Sequence, residues 1–152
     1  MRVYFNTSAL NRPLDDLSSE RVRLEAEAIV ALLAAVEDGV AEWVGSEYLD
    51  FEVDQDPDGE RVRRVRSLFG LVRTRVPASD AVAGRARALE QLGLRGLDAL
   101  HVASAEVGGA ELLVTTDDRM MRSGVRAGRD LRVRLVTPPE AMSILSEKRG
   151  RR

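Results

Sequence analysis

The sequence predicts a single α/β domain, a central parallel sheet of four or five strands flanked by helices on both faces. Three observations point there. Short apolar runs alternate with helical patterns along the whole chain. One run, Leu112-Leu113-Val114-Thr115, is apolar throughout, as in a strand covered on both faces. The length of 152 residues suits one domain, and a hydrophobic share of 44% can build its core.

The elements follow in order. Val3-Tyr4-Phe5 reads as a short buried strand. A polar stretch runs from Asn6 to Ser19. The spacing of Val22, Ile29, Leu33 and Val36 predicts a helix over 20–37, with Gly39 as its stop. Glu42-Trp43-Val44 reads as a second strand, and Ser46 as the cap of a helix carrying Leu49, Phe51 and Val53. A turn-rich break over 54–59 precedes a helix expected over 60–73, with Val62, Val65, Leu68, Phe69 and Val72 on one face. A short strand surrounds Val76, and Ser79 caps a helix to about Leu92. After a glycine loop, 97–107 reads as an alanine-rich helix. The apolar strand near 114 leads directly into a helix over 117–125. A strand over 133–136 follows, and Thr137-Pro138-Pro139-Glu140 supplies a capping box for a last helix ending near Glu147. The expected division is a domain over 1–147 and a basic, flexible tail over 148–152.

Composition narrows the chemistry. There is no cysteine, which excludes a disulfide framework and a thiolate metal site. No apolar run approaches the roughly 20 residues that cross a bilayer, so no membrane role is expected and a cytoplasmic location is the default. The net charge of −2 hides an asymmetry. Residues 1–60 hold 15 acids and 4 basic residues, whereas residues 61–152 hold 10 acids and 19 basic residues. Carboxylates for cations beside arginines for phosphates suit a nuclease, although an ordinary dipolar surface gives the same count.

Four segments then carry a specific resemblance. They are Val3-Tyr4-Phe5-Asn6-Thr7-Ser8-Ala9-Leu10, followed by Asn11-Arg12-Pro13, then Ser46-Glu47-Tyr48-Leu49-Asp50-Phe51-Glu52-Val53, Leu97-Asp98-Ala99-Leu100-His101-Val102-Ala103-Ser104-Ala105, and Leu113-Val114-Thr115-Thr116-Asp117-Asp118-Arg119. In this order they resemble the motifs of the PIN-domain family, in particular ribonucleases of the VapC toxin type. The resemblance extends over nearly the whole chain. It implies a PIN-like domain and a metal-dependent endoribonuclease that cuts RNA with Mg2+ or Mn2+. It also implies a toxin of a VapBC-type pair, a cognate antitoxin protein that blocks the acidic groove, and a homodimer. The implied catalytic and metal-binding positions are Asn6, Glu52, Asp98 and Asp117. Thr7, Ser8, Thr115 and Thr116 support the acids by hydrogen bonds, and Arg12 is a candidate to touch phosphate. His101 reads as a packed or partly exposed helix residue, and Arg61, Arg63, Arg64 and Arg66 as a solvated face that alternatively meets RNA.

Elementary coordination chemistry agrees with that implication. Mg2+ and Mn2+ are hard cations that prefer oxygen ligands. Taken singly, Asp98 and Asp117 are ordinary helix-start charges and Glu52 an ordinary solvated residue. Their joint occurrence in ordered motifs carries the reading.

Asn6 departs from the pattern, standing where the family has an aspartate. Its oxygen can ligate a cation, but it brings no charge. Two origins are open, a deliberate disarming change and a natural variant with weakened or lost cleavage; the intact remaining motifs favour the first. The alternative function is a catalytically silent domain that binds RNA or an antitoxin. A receiver-type phosphoacceptor domain needs a lysine near its acids, and the only lysine is Lys148 in the tail. A haloacid-dehalogenase-type phosphatase needs Asp-x-Asp after the first strand, where Asn6-Thr7-Ser8 stands.

Overall fold

The computed structural model describes residues 1–151. Five parallel strands form one sheet in the order β3-β2-β1-β4-β5. They are β1 (Arg2–Phe5), β2 (Glu42–Ser46), β3 (Val72–Val76), β4 (Leu112–Val114) and β5 (Arg134–Val136). Eight α-helices flank the sheet among the described residues: α1 (Thr7–Asn11), α2 (Glu20–Glu37), α3 (Glu47–Asp54), α4 (Gly59–Arg66), α5 (Asp80–Gln91), α6 (Gly96–Val107), α7 (Asp118–Ala127) and α8 (Pro138–Gly150).

β1 is the central strand because its side chains are apolar on both faces. Val3, Tyr4 and Phe5 point alternately to opposite sides, yet all three are buried. Both faces of the sheet are therefore covered. Val3 pairs with Trp43 of β2 on one side and with Leu112 of β4 on the other. Phe5 meets Trp43 edge-on at 5.3 Å between ring centroids, and Trp43 meets Phe69 at 5.7 Å. Such tilted aromatic contacts contribute about 0.5–1.5 kcal/mol each beyond their buried area.

The connection order positions the site. From β1 the chain builds outward to β2 and β3, then returns to add β4 and β5 on the other side. β1 and β4 are neighbours whose connections leave in opposite directions. At such a switch point a crevice opens beyond the carboxyl ends of the strands. Asn6 donates its backbone N–H to the Val114 carbonyl at 3.2 Å, so the residues just past β1 and β4 are held together there.

Several helix caps act as the sequence suggests. The Ser46, Ser79 and Thr137 hydroxyls accept from the N–H groups of Leu49, Val82 and Glu140. Gly39 takes φ +78° as α2 ends, a conformation that favours glycine.

Three expectations need correction. The polar stretch 6–19 contains a helix, α1, and a 3-10 turn over Arg12–Leu14. A five-residue helix is too short to display a helical period. The helix expected over 60–73 ends at Arg66, Phe69–Leu71 forms a 3-10 turn, and Val72 opens β3. Here the pairing of Val72 with Trp43 outcompetes continued helix. The last helix runs on to Gly150, and Lys148 reaches Glu111 at 3.3 Å, so the start of the expected flexible tail is helical. Arg152 lies outside the described residues. No helix among the described residues is long and apolar enough to cross a membrane.

Gly108, at the end of α6, marks the tightest helix-to-sheet approach. A Cβ there would lie 2.5 Å from Val44 Cγ1 and 2.7 Å from Val76 Cγ2. Both valines are buried and short, with little room to move. Gly108→Ala is expected to lower unfolding stability by about 1–3 kcal/mol. Gly59→Ala, at an open helix start, is expected to be neutral or stabilising by up to about 1 kcal/mol. Urea unfolding of the two variants checks the contrast.

Candidate active site

Asn6 caps α1 immediately beyond β1 and is only 5% exposed. Its Oδ1 accepts from the Ala9 N–H at 3.1 Å and from the Ser8 hydroxyl at 2.9 Å. Its Nδ2 donates to Thr115 Oγ1 at 2.8 Å and approaches the Met120 sulfur at 3.5 Å. Ser8 Oγ and Thr115 Oγ1 lie 3.4 Å apart. The three side chains thus close a cycle: Thr115 donates to Ser8, Ser8 to Asn6, and Asn6 to Thr115. Both lone pairs of the amide oxygen are spent inside this cycle and on the cap. In this arrangement Asn6 has none to offer a cation.

Three acids stand around the same edge. Glu52 lies on α3, Asp98 in the first turn of α6, and Asp117 at the N-cap of α7. Asp117 Oδ1 accepts from the N–H groups of Arg119 and Met120. The Asp98 carboxyl is pushed up, first by its burial and then by the charges of Asp117 and Glu52, with Arg119 opposing. Like charges sharing a half-buried place disfavour ionisation, so these three acids sense one another. Glu52 is shifted the opposite way. Burial, the largest single influence, would raise it, but the interactions with His101 and Thr7 together outweigh that and hold it below the usual range.

His101 is packed, as its helix position suggests, but its partners come from other elements. It is 1% exposed and lies against both the core and the acids. Its Nδ1 is 2.7 Å from the Tyr4 hydroxyl and its Nε2 is 3.3 Å from Glu52 Oε1. Tyr4 OH lies 2.7 Å from Ser46 Oγ. The signal was present in outline: the only histidine sits one helical turn after Asp98. Only packing shows that it turns inward.

The remaining candidates divide. Ser8 and Thr115 belong to the cycle, and Ser8 Oγ also accepts from the Thr116 N–H at 3.2 Å. Thr115 Oγ1 accepts from the Asp117 N–H at 3.1 Å, so it links Asn6 to the α7 cap. The Thr7 hydroxyl is buried without a hydrogen-bond partner of normal length, on the Glu52 side. Arg12 is held by Asp15 at 3.1 Å and Glu25 at 3.2 Å. Arg61 pairs with Asp15, Arg63 and Arg64 with Glu60, and Arg66 with Asp54. These arginines are engaged with the chain's own acids. Arg119, by contrast, is exposed, lies beside Asp98, and has no side-chain hydrogen bond among the described residues.

In chemical kind the acids fit a hard divalent cation: all donors are carboxylate oxygens, and their mutual repulsion is what a cation relieves. Among the described residues, no three acidic or histidine side chains already converge closely enough to grip an ion. A mostly apolar cleft lies elsewhere, between α2 and α4, bordered by Leu10, Leu14, Val30, Leu33, Val65 and Leu68.

No family model and no curated protein matches the chain. Solved structures do match. One is a chain of VapBC2 from Rickettsia felis, in a complex bound to a DNA fragment from their promoter. The match has a TM-score of 0.54 at 13% identity and covers 90% of this chain and 98% of that one. This chain has a PIN-like fold. At that identity the likeness concerns the fold alone, and it agrees with the architecture that the motifs imply.

Two measurements probe the candidate site. A carboxyl whose pKa is raised on folding costs stability when ionised. That cost is present above its folded pKa and absent below the ordinary aspartate value, where both states are protonated. Asp98→Asn is therefore expected to raise the melting temperature in chelator at pH ~7 and to lose that advantage near pH ~3. Asn6→Leu strands the Ala9 N–H and opens the cycle, and is expected to cost about 1–3 kcal/mol in urea unfolding.

Proposed function

We propose that the chain is a metal-dependent endoribonuclease of the VapC toxin kind. The observation supporting it most directly is the half-buried carboxyl of Asp98, in the first turn of α6, with Asp117 and Glu52 as its charged neighbours. Such a cluster costs stability unless a cation offsets it, and three anions do not suit an RNA backbone without one. Glu52, Asp98 and Asp117 would hold Mg2+ or Mn2+, with Asn6 at the β1 border of the site. Bound there, the ion supplies Lewis acidity to a scissile phosphate. Arg119, exposed beside Asp98, would meet a phosphate oxygen from the α7 side, where a guanidinium can bind in bidentate fashion.

Asn6 leaves the site one negative charge short of the family pattern. Its place tolerates either side chain. With a carboxylate at position 6, Thr115 would donate across the contact where it now accepts, and Ser8 would keep its present role. Asn6→Asp therefore changes charge without dismantling the surroundings.

The proposal includes an antitoxin protein as partner. The apolar cleft between α2 and α4 offers a surface for an amphipathic segment, and a homodimer and a cytoplasmic setting belong to the same proposal. A second reading, a domain that binds RNA or an antitoxin without cutting, draws support from the complete hydrogen bonding of Asn6.

Cleavage of a labelled structured RNA with Mn2+ or Mg2+ separates the readings. Asn6→Asp is expected to raise cleavage roughly ten- to a hundredfold over the unaltered chain, the scale on which metal-site partners act. Adding Asp98→Ala is expected to abolish it. Absence of cleavage and of Mn2+ binding in all three proteins would sink the nuclease reading and leave the binding module.

A further inference from the structure

A buried line of polar groups crosses from the sheet to the candidate site: Ser46, Tyr4, His101 and Glu52. Ser46 is 1% exposed, Tyr4 0% and His101 1%, so water does not complete their bonding. Four separate elements supply them, β2, β1, α6 and α3. We propose that Ser46, Tyr4 and His101 form a one-way hydrogen-bond chain. It fixes His101 as a neutral ring protonated at Nε2 and gives Glu52 a permanent N–H donor on Oε1. Oε2, which carries no bond to His101, is then the Glu52 oxygen more open to a cation.

The direction follows from counting donors. Ser46 Oγ has two partners, the Tyr4 hydroxyl at 2.7 Å and the Leu49 N–H at 3.0 Å. The Leu49 N–H can only donate, so the Ser46 proton must go to Tyr4 or to nothing. If it goes to Tyr4, the Tyr4 proton goes to His101 Nδ1, and the ring carries its own proton on Nε2, facing Glu52. Every donor then has an acceptor. A doubly protonated ring reverses the line: Nδ1–H donates to Tyr4, Tyr4 donates to Ser46, and the Ser46 proton has no acceptor. A buried donor left so costs about 1–3 kcal/mol. A ring protonated only at Nδ1 turns the Nε2 lone pair against a carboxylate oxygen. The neutral Nε2–H ring is the one state that satisfies all four groups.

The consequence for the site is positional. Ser46 caps the helix that carries Glu52, so the same hydroxyl anchors both ends of the line. His101 does not reach outward to a substrate; its two nitrogens are both occupied. It is a positioning residue that sets the orientation of Glu52 and leaves Oε2 the less encumbered oxygen. The orienting of metal ligands by such outer partners is general chemistry. The statement about the cation rests on the proposed function; the ring state does not.

The test begins on the unaltered chain. His101 is the only histidine, so tag-free, 15N-labelled protein gives one imidazole in a long-range 1H–15N correlation spectrum at neutral pH. The expected pattern is protonated Nε2 and bare Nδ1. Two protonated nitrogens, or protonation at Nδ1 alone, overturn the chain. Tyr4→Phe is expected to abolish the single-tautomer pattern; an unchanged pattern counts against it. Mn2+ affinity, read from the EPR signal of free Mn2+, tests the positioning. His101→Leu is expected to weaken it roughly ten- to a hundredfold, and His101→Gln, which keeps a donor near the Nε2 position, considerably less. Equal losses in the two variants overturn the positioning role. If the unaltered chain binds no Mn2+, the cation reading falls, while the ring spectrum still decides the hydrogen-bond chain.

Discussion

Both faces of β1 are buried and both its edges are paired, and the site inherits its order from that constraint. A strand so enclosed can carry polar groups only where partners meet them. Tyr4 finds Ser46 and His101, and Asn6 finds Ala9, Ser8 and Thr115. Tyr4 on the strand and Asn6 just beyond it therefore tie different parts of the fold to one sheet edge. Tyr4 connects to the α3 and α6 side, Asn6 to β4 and α7. The candidate active site lies between these two anchors.

The acids around that edge are at odds with stability. Asp98 is raised because burial and its neighbours disfavour its charge, whereas Glu52 is lowered because the interactions with His101 and Thr7 together outweigh its burial. Two carboxyl groups in one site are thus pushed in opposite directions by different causes. Divergent environments of this kind accompany functional sites more often than surface pairs. The surface carboxylates of this protein follow another pattern: Asp54, Glu60 and Asp118 are each lowered by arginine partners in water. Those pairs are worth little individually.

Asn6 shows how an uncharged amide is held at the border of three acids. Its amide donates to Thr115 where a carboxylate would accept, and rotation of the Thr115 hydroxyl would suit either case while Ser8 keeps its role. Hydroxyl partners make position 6 tolerant, so the chemistry of the site can change by one unit of charge while the fold stays intact.

Much of this was legible in the amino-acid order. Apolar strands alternating with helices specify a parallel sheet, and the Ser46, Ser79 and Thr137 caps sit where their hydroxyls meet free N–H groups. The resemblance of four ordered segments to PIN-domain motifs marked Glu52, Asp98 and Asp117 as one set, although Asp98 follows a helix and not a strand. Periodicity could not find α1, too short to repeat, nor the end of α4, where sheet pairing prevails over a continuing apolar face. It also could not say which way His101 turns. A histidine in a helix is compatible with solvent, core or ligand, and its choice depends on Tyr4, 97 positions away, and on Glu52, 49 positions away. Local sequence determines which elements form, since caps and periods act over a few residues. Tertiary structure alone decides which polar groups meet, because hydrogen-bond partners in a buried site come from elements that only the sheet order brings together.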